Sequence, residues 1–162
     1  MKTIRNIDFG ALRGLIGYQL RRAQVAVFAD FAATVGQSGI TPGLAGILAL
    51  VEANPGLKQS ALAAKLGIDR STLVPALNRL EAKGLIVRRP MAGDKRAHAL
   101  ELTERGRAVW SKTLAAIRAH EARLLRHLAP RDRRTLIRLL ERIGPADGRA
   151  RPDARDRPRR KP

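Results

Sequence analysis

Residues 66–106 read LGIDRSTLVPALNRLEAKGLIVRRPMAGDKRAHALELTERG, and the order of turns and apolar positions in this stretch decides the fold. Gly67 tolerates the left-handed turn conformation, and Asp69 is a good helix N-cap. From Asp69 the spacing predicts a helix up to Gly84, a natural C-terminal stop. Just upstream, Lys58 to Leu66 reads as a short helix with Leu62 and Leu66 turned inward. Two short helices joined by a glycine turn form a helix-turn-helix. On the second, steps of about 100° put Leu73, Leu77 and Leu80 on one face with Ala76 beside them. The opposite face carries Ser71, Pro75, Asn78, Arg79 and Ala82. Those side chains are small or polar, so such a helix can lie deep in a major groove where Ser, Asn and Arg reach base edges. The plain alternative is a solvated face. Pro75 lacks an N–H and crowds the preceding turn, which predicts a late helix start or a kink; its ring can also meet a thymine methyl. After Gly84, Leu85 to Met91 and Ala97 to Leu102 read as two strands, with Leu100 and Leu102 inward. Between them Ala92-Gly93-Asp94-Lys95-Arg96 forms a turn with a basic tip, so the hairpin reads as a wing.

Working outward, Thr103 caps a long helix predicted from Glu104 to about Leu128, and Pro130 opens a last helix bearing Leu136, Ile137, Leu139, Leu140 and Ile143. Toward the N-terminus, Leu12, Leu15, Ile16, Leu20, Ala23, Val27 and Phe31 recur every three or four residues and predict one long helix from Phe9 to about Val35. Gly36 to Ile40 breaks it. Thr41-Pro42 starts another helix, which stops near Asn54-Pro55-Gly56. The expected fold class is therefore mainly α with a small β-wing: a winged helix-turn-helix flanked by long terminal helices. Residues 1–144 would form this domain, with a central lobe over about residues 55–102. Residues 145–162 hold four prolines, seven basic and three acidic side chains, and no large apolar one. That composition predicts a disordered basic tail.

Charge and composition restrict function. The 162 residues carry a formal net charge of +18. Only +4 of it lies in residues 145–162, which leaves +14 on the rest, and double-stranded DNA is the expected polyanionic partner. Aromatic residues are 3% of the chain, too few for a protein that stacks single strands on a platform of rings. With no cysteine, disulfides, cysteine-ligated zinc and thiol redox sensing are excluded. No export signal or apolar run of spanning length is read, so a cytoplasmic location is expected. No nucleophile, paired-acid or metal constellation points to an enzyme, and no cofactor is expected. His120 and His127 stand two turns apart on one helix, farther than two ligands of one ion usually lie, and His98 falls on a wing strand. The few carboxylates are mostly flanked by arginines and read as salt-bridge partners. A nucleoid-type protein with the same basic surface and no base reading is the competing class; the polar face of the second short helix argues against it.

The order helix, helix, helix-turn-helix, wing, long helix, last helix resembles the MarR family of winged helix-turn-helix transcription regulators over residues 9–143. Asp94, Lys95 and Arg96, followed by Leu100, Glu101, Leu102, Thr103, Glu104 and Gly106, is similar to that family's wing signature running into its dimerisation helix. Leu66-Gly67-Ile68 with Ser71-Thr72 and Asn78-Arg79-Leu80-Glu81 is similar to its reading head. The resemblance implies a homodimer, a pseudo-palindromic operator and, more often than not, repression. It assigns DNA contact to Ser71, Thr72, Pro75, Asn78, Arg79, Arg88, Asp94, Lys95 and Arg96. Arg96 at the hairpin tip suits a narrow minor groove, and Asp94 can brace an arginine. Lys58, Lys65, Lys83, Arg88, Arg89 and Lys95 are candidate phosphate contacts. Pro75 departs from the family's usual recognition helix.

The stretch Gly17-Tyr18-Gln19-Leu20-Arg21-Arg22-Ala23-Gln24, with Ala26-Val27-Phe28 and Asp30-Phe31, is similar to the first helix of a subgroup that responds to hydroxycinnamoyl and related aromatic acyl-coenzyme A thioesters. The resemblance implies a small aromatic effector, p-coumaroyl-coenzyme A for example, held by Tyr18, Arg21, Arg22 and Phe28, with arginines on the coenzyme phosphates. A free phenolic acid is the next candidate ligand. Read without the resemblance, the same stripe is ordinary core and solvated arginine.

Overall fold

The computed structural model describes residues 7–91 and 94–143, mostly helix with one small sheet. A short 3-10 turn, Gly10–Gly14, precedes α1 (Ile16–Thr34); α2 (Pro42–Ala53), β1 (Leu57–Lys58), α3 (Gln59–Leu66), α4 (Arg70–Ala82), β2 (Ile86–Met91), β3 (Asp94–Leu102), α5 (Glu104–Leu124) and α6 (Pro130–Ile143) follow. The expected tail over residues 145–162 and the wing residues Ala92 and Gly93 lie outside the described residues. No helix among the described residues is long and apolar enough to cross a membrane.

One core holds the central lobe together. Ile40, Ile47, Leu48 and Val51 from the α2 region meet Leu62 of α3 and Leu73, Leu77 and Leu80 of α4, closed below by Leu85 and by Ile86, Leu100 and Leu102 of the sheet. Three helix starts, those of α2, α4 and α5, are satisfied by a side chain. The Thr41 hydroxyl accepts from the Leu44 N–H, Asp69 from that of Thr72, and Thr103 from that of Gly106. Gly67 (φ +64) ends α3, and Gly84 (φ +65) follows α4, both in the left-handed region that the sequence required of them. The wing joins this core through the start of α5. The Thr103 N–H donates to the Leu85 carbonyl and its hydroxyl to that of Gly84. A Cβ on Gly106 would fall 1.9 Å from the Leu85 carbonyl oxygen, so only glycine lets the first turn of α5 come this close.

Four expectations change. The long N-terminal helix is two pieces, because Leu15 is extended (φ −87, ψ 119) between the 3-10 turn and α1. Gly10 and Gly14 bound that turn, and glycine loses more backbone freedom in a helix than any residue with a side chain. The wing is part of a three-stranded antiparallel sheet ordered β1-β3-β2, since Leu57 and Lys58 pair with Leu100 and Ala99. β2 is thus an edge strand, where Pro90 is tolerated opposite His98. Pro75 does not delay its helix: α4 starts at Arg70 and runs unbroken to Ala82, the Asp69 cap fixing the first turn before the proline is reached. Lastly, α5 ends at Leu124 rather than near Leu128, and Arg133 from α6 donates to the carbonyls of Leu125 and Leu128 left open there.

Candidate nucleic-acid interface

The face of α4 away from the core is built from its own sequence. Leu73, Leu77 and Leu80 are buried, which turns Ser71, Pro75, Asn78, Arg79 and Ala82 outward, all of them exposed. Thr72 is exposed in the first turn. Asp69 collects the Ser71 hydroxyl at 2.6 Å and the Thr72 N–H at 2.8 Å, and these bonds, the serine's first, hold its carboxyl below the ordinary carboxylate range. Ser71 therefore spends its proton on the cap and keeps oxygen lone pairs for a partner. Asn78 accepts from Arg88 Nη2 at 2.5 Å, and Arg88 Nε stands 3.5 Å from the Glu81 carboxylate.

The expected contacts divide on inspection. Lys58, Lys65, Lys83 and Arg79 are exposed. Arg88 and Arg89, adjacent in sequence, point to opposite faces of the sheet: Arg88 toward α4, and Arg89 to Glu101 across the strands at 2.8 Å. Both are ion-paired within the lobe. Asp94, Lys95 and Arg96 open β3, and their side chains lie outside the described residues.

On α1, Tyr18, Arg21, Arg22 and Phe28 fall within about 120° of the helix circumference, opposite half-buried Val27 and buried Phe31. Phe28 is 48% exposed and neighbouring Val25 58%. Arg22 lies 5.9 Å from the Tyr18 ring and from the Phe9 ring, which themselves meet at 6.0 Å. This is a cation–π stack on an outward face. Arg21 borders a shallow recess with Gly17, Leu20 and Gln24.

Sequence reasoning did not pair Asp30 with α5. Its Oδ2 takes His120 Nδ1 and Arg123 Nη2, each at 2.5 Å, and His120 is buried, edge-on to Phe31. The His120 bond, then that from Arg123, lowers the Asp30 pKa. The signal available was an acid on the inward side of a helix in a strongly basic chain. His127 is separate from this cluster and accepts from Arg126. Among the described residues no group of three or more potential ligands could hold a metal ion.

The MarR family profile matches residues 38–97. A candidate transcriptional regulatory protein for the hcr operon of Thauera aromatica is 41% identical over 135 residues, covering 83% of this chain and 81% of that protein. The chain belongs to the MarR family. As a MarR-family protein it is a transcription regulator, and its winged-helix lobe superimposes on solved relatives. The transcriptional repressor CouR bound to a 23-mer DNA duplex matches with a TM-score of 0.82 at 39% identity, over 85% of this chain and 98% of that one. CouR bound to p-coumaroyl-CoA matches with a TM-score of 0.77 at 38% identity, over 85% and 97%.

Proposed function

We propose that this MarR-family chain is a homodimeric repressor that grips a pseudo-palindromic operator and releases it when an aromatic acyl-coenzyme A thioester, of the p-coumaroyl kind, binds. The observation that carries the DNA reading is α4 itself: three buried leucines lock one face, so the small and polar side chains of the other are held rigid and outward. Ser71, Thr72, Pro75, Asn78 and Arg79 enter the major groove, and Asp94, Lys95 and Arg96 serve the wing. Residues 1–144 form the regulator, and the basic segment 145–162 adds sequence-independent affinity. The protein acts in the cytoplasm, where its operator is.

Dimerisation is supported by what one chain leaves uncovered. α6 has no buried residue, and Leu136, Ile137, Leu139, Leu140 and Ile143 are 40–57% exposed. The effector reading is supported by the outward stripe of Tyr18, Arg21, Arg22 and Phe28, where guanidinium groups stand beside aromatic rings, a mixed surface suited to a phosphate-bearing aromatic thioester. An effector shifts the protein only by binding its two arrangements unequally, and the arrangement it favours must space the recognition helices wrongly for the half-sites.

The test is fluorescence anisotropy of the full chain on duplex DNA from upstream of its own coding region, against a scrambled duplex, at fixed salt. Preference for the native duplex, abolished by p-coumaroyl-coenzyme A and not by coenzyme A alone, is expected. Equal affinity for both duplexes without ligand response contradicts the reading and favours a nucleoid-type role. In the same assay Arg96→Ala should weaken specific binding with unchanged circular dichroism, because β3 feeds the core from its far end, through Leu100 and Leu102; undiminished affinity would remove Arg96 from the interface.

A further inference from the structure

Resting on the assignment of α4 as the DNA-reading helix, we propose that Arg88 is not a phosphate contact but a specificity-determining positioning residue, which fixes the Asn78 amide so that Asn78 enters the groove as a hydrogen-bond donor. Arg88 shares its sheet face with Ile86 and is paired in register with Leu100, both buried, so its stem runs inward beneath α4. Its side chain is only 20% exposed. Glu81, one turn beyond Asn78 on the same helix, lies beside its guanidinium and offsets the charge that a phosphate would need.

Arginine has donors and no acceptor, so the asparagine atom 2.5 Å from Arg88 Nη2 must be the oxygen. The amide nitrogen then points the other way, on an exposed position of the outward face of α4. Without that clamp an asparagine amide can turn over and present either end. Held by it, Asn78 offers N–H groups that fit a purine N7, guanine O6 or thymine O4. That N–H end does not suit the cytosine amino group, and two-point pairing with adenine has to share the oxygen between N6 and Arg88, through its second lone pair. The clamp has capacity to spare: Arg88 Nε is buried and without a hydrogen-bond partner, 3.5 Å from Glu81 Oε2, close enough to engage on a small adjustment when DNA presses on α4.

The experiment selects duplexes from a random-sequence pool with the full-length protein and its variants Asn78→Ala, Arg88→Met, Arg88→Leu and Arg88→Lys, followed by anisotropy on the enriched duplex and its single-base variants. Wild type should enrich a motif in which one base pair per half-site loses its preference in Asn78→Ala. Arg88→Met and Arg88→Leu, which offer no donor, should relax that same base pair about tenfold, while affinity for a scrambled duplex and its salt dependence stay unchanged. Arg88→Lys, which still offers a donor, should restore much of the preference. Either Met or Leu suffices if the other fails to fold. The proposal is overturned if the Arg88 variants keep the motif intact and instead bind all duplexes more weakly, with the salt slope smaller by about one counterion, the mark of a lost phosphate contact. It is equally overturned if Asn78→Ala leaves the motif unchanged. A wild-type protein that enriches no motif refutes the reading role of α4 itself, an outcome distinct from the failure of Arg88 alone.

Discussion

The central lobe and the terminal helices solve the same problem differently. From α2 to β3 nearly every inward apolar position is covered by another part of the same chain: Leu48, Leu62, Leu77, Leu80 and Leu100 have no exposed surface. The terminal helices do not close. Leu12, Leu15, Ile16 and the leucines of α6 remain open to solvent, and α6 touches the rest mainly through Arg133 at the end of α5. A chain that packs one half so completely has not run short of hydrophobic material. On the homodimer reading proposed above, the open half is one side of the interface, and α5, which runs from the wing toward it, connects the two.

Substitutions of equal chemistry should therefore act differently in the two regions. Leu77→Ala in the lobe should cost about 2–5 kcal/mol in chemical denaturation, since it leaves a cavity in a closed core. Leu140→Asp on α6 should leave the lobe folded and move the protein from dimer to monomer in size-exclusion chromatography. Loss of folding in both would mean that the two regions are not separable.

A smaller effect is expected where the regions meet. Thr103→Ala removes the α5 cap and the bond to Gly84 together, and should cost about 1–2 kcal/mol. Because that junction also sets the wing against α4, DNA affinity should fall in the same variant. Unchanged affinity would show the wing to be held by the sheet alone.

The smallest effect concerns the Asp30 contact between α1 and α5. Its pKa is lowered in the folded protein, so the unfolded chain takes up the proton first as pH falls. The contribution is fully present above the unfolded carboxylate value of about 4, and is lost as pH falls through the lower folded value. Asp30→Asn should be less stable than wild type near neutrality, with the gap closing below about pH 4. A gap that is the same at both ends would assign the contact to shape rather than charge.

How much of this was legible follows from separation along the chain. The helix-turn-helix, its caps and the inward leucines of α4 are set by residues three or four apart, so Asp69, Gly67 and Gly84 announce them. β1 escapes notice because two residues carry no periodicity; only pairing with Leu100, far along the chain, makes Leu57 a strand. The break at Leu15 is hidden for the opposite reason, since the apolar spacing continues across it. Pro75 misleads because propensity weighs the lost hydrogen bond and not the Asp69 cap that has already set the helix. On the candidate interface, the outward set from Ser71 to Ala82 was readable, but the use of Arg88 was not: whether an arginine meets solvent or Asn78 depends on strand parity and on the approach of β2 to α4. The bond between Asp30 and His120, ninety residues apart, lies beyond any local pattern.

The account turns most directly on whether the open half is shared between two copies. Sedimentation of the full chain, alone and on its selected duplex, should give a species of twice the 17.7 kDa chain mass at micromolar concentration, and one such dimer on each duplex. A monomer in free solution that also binds DNA singly, with the α6 leucines still uncovered, would contradict it.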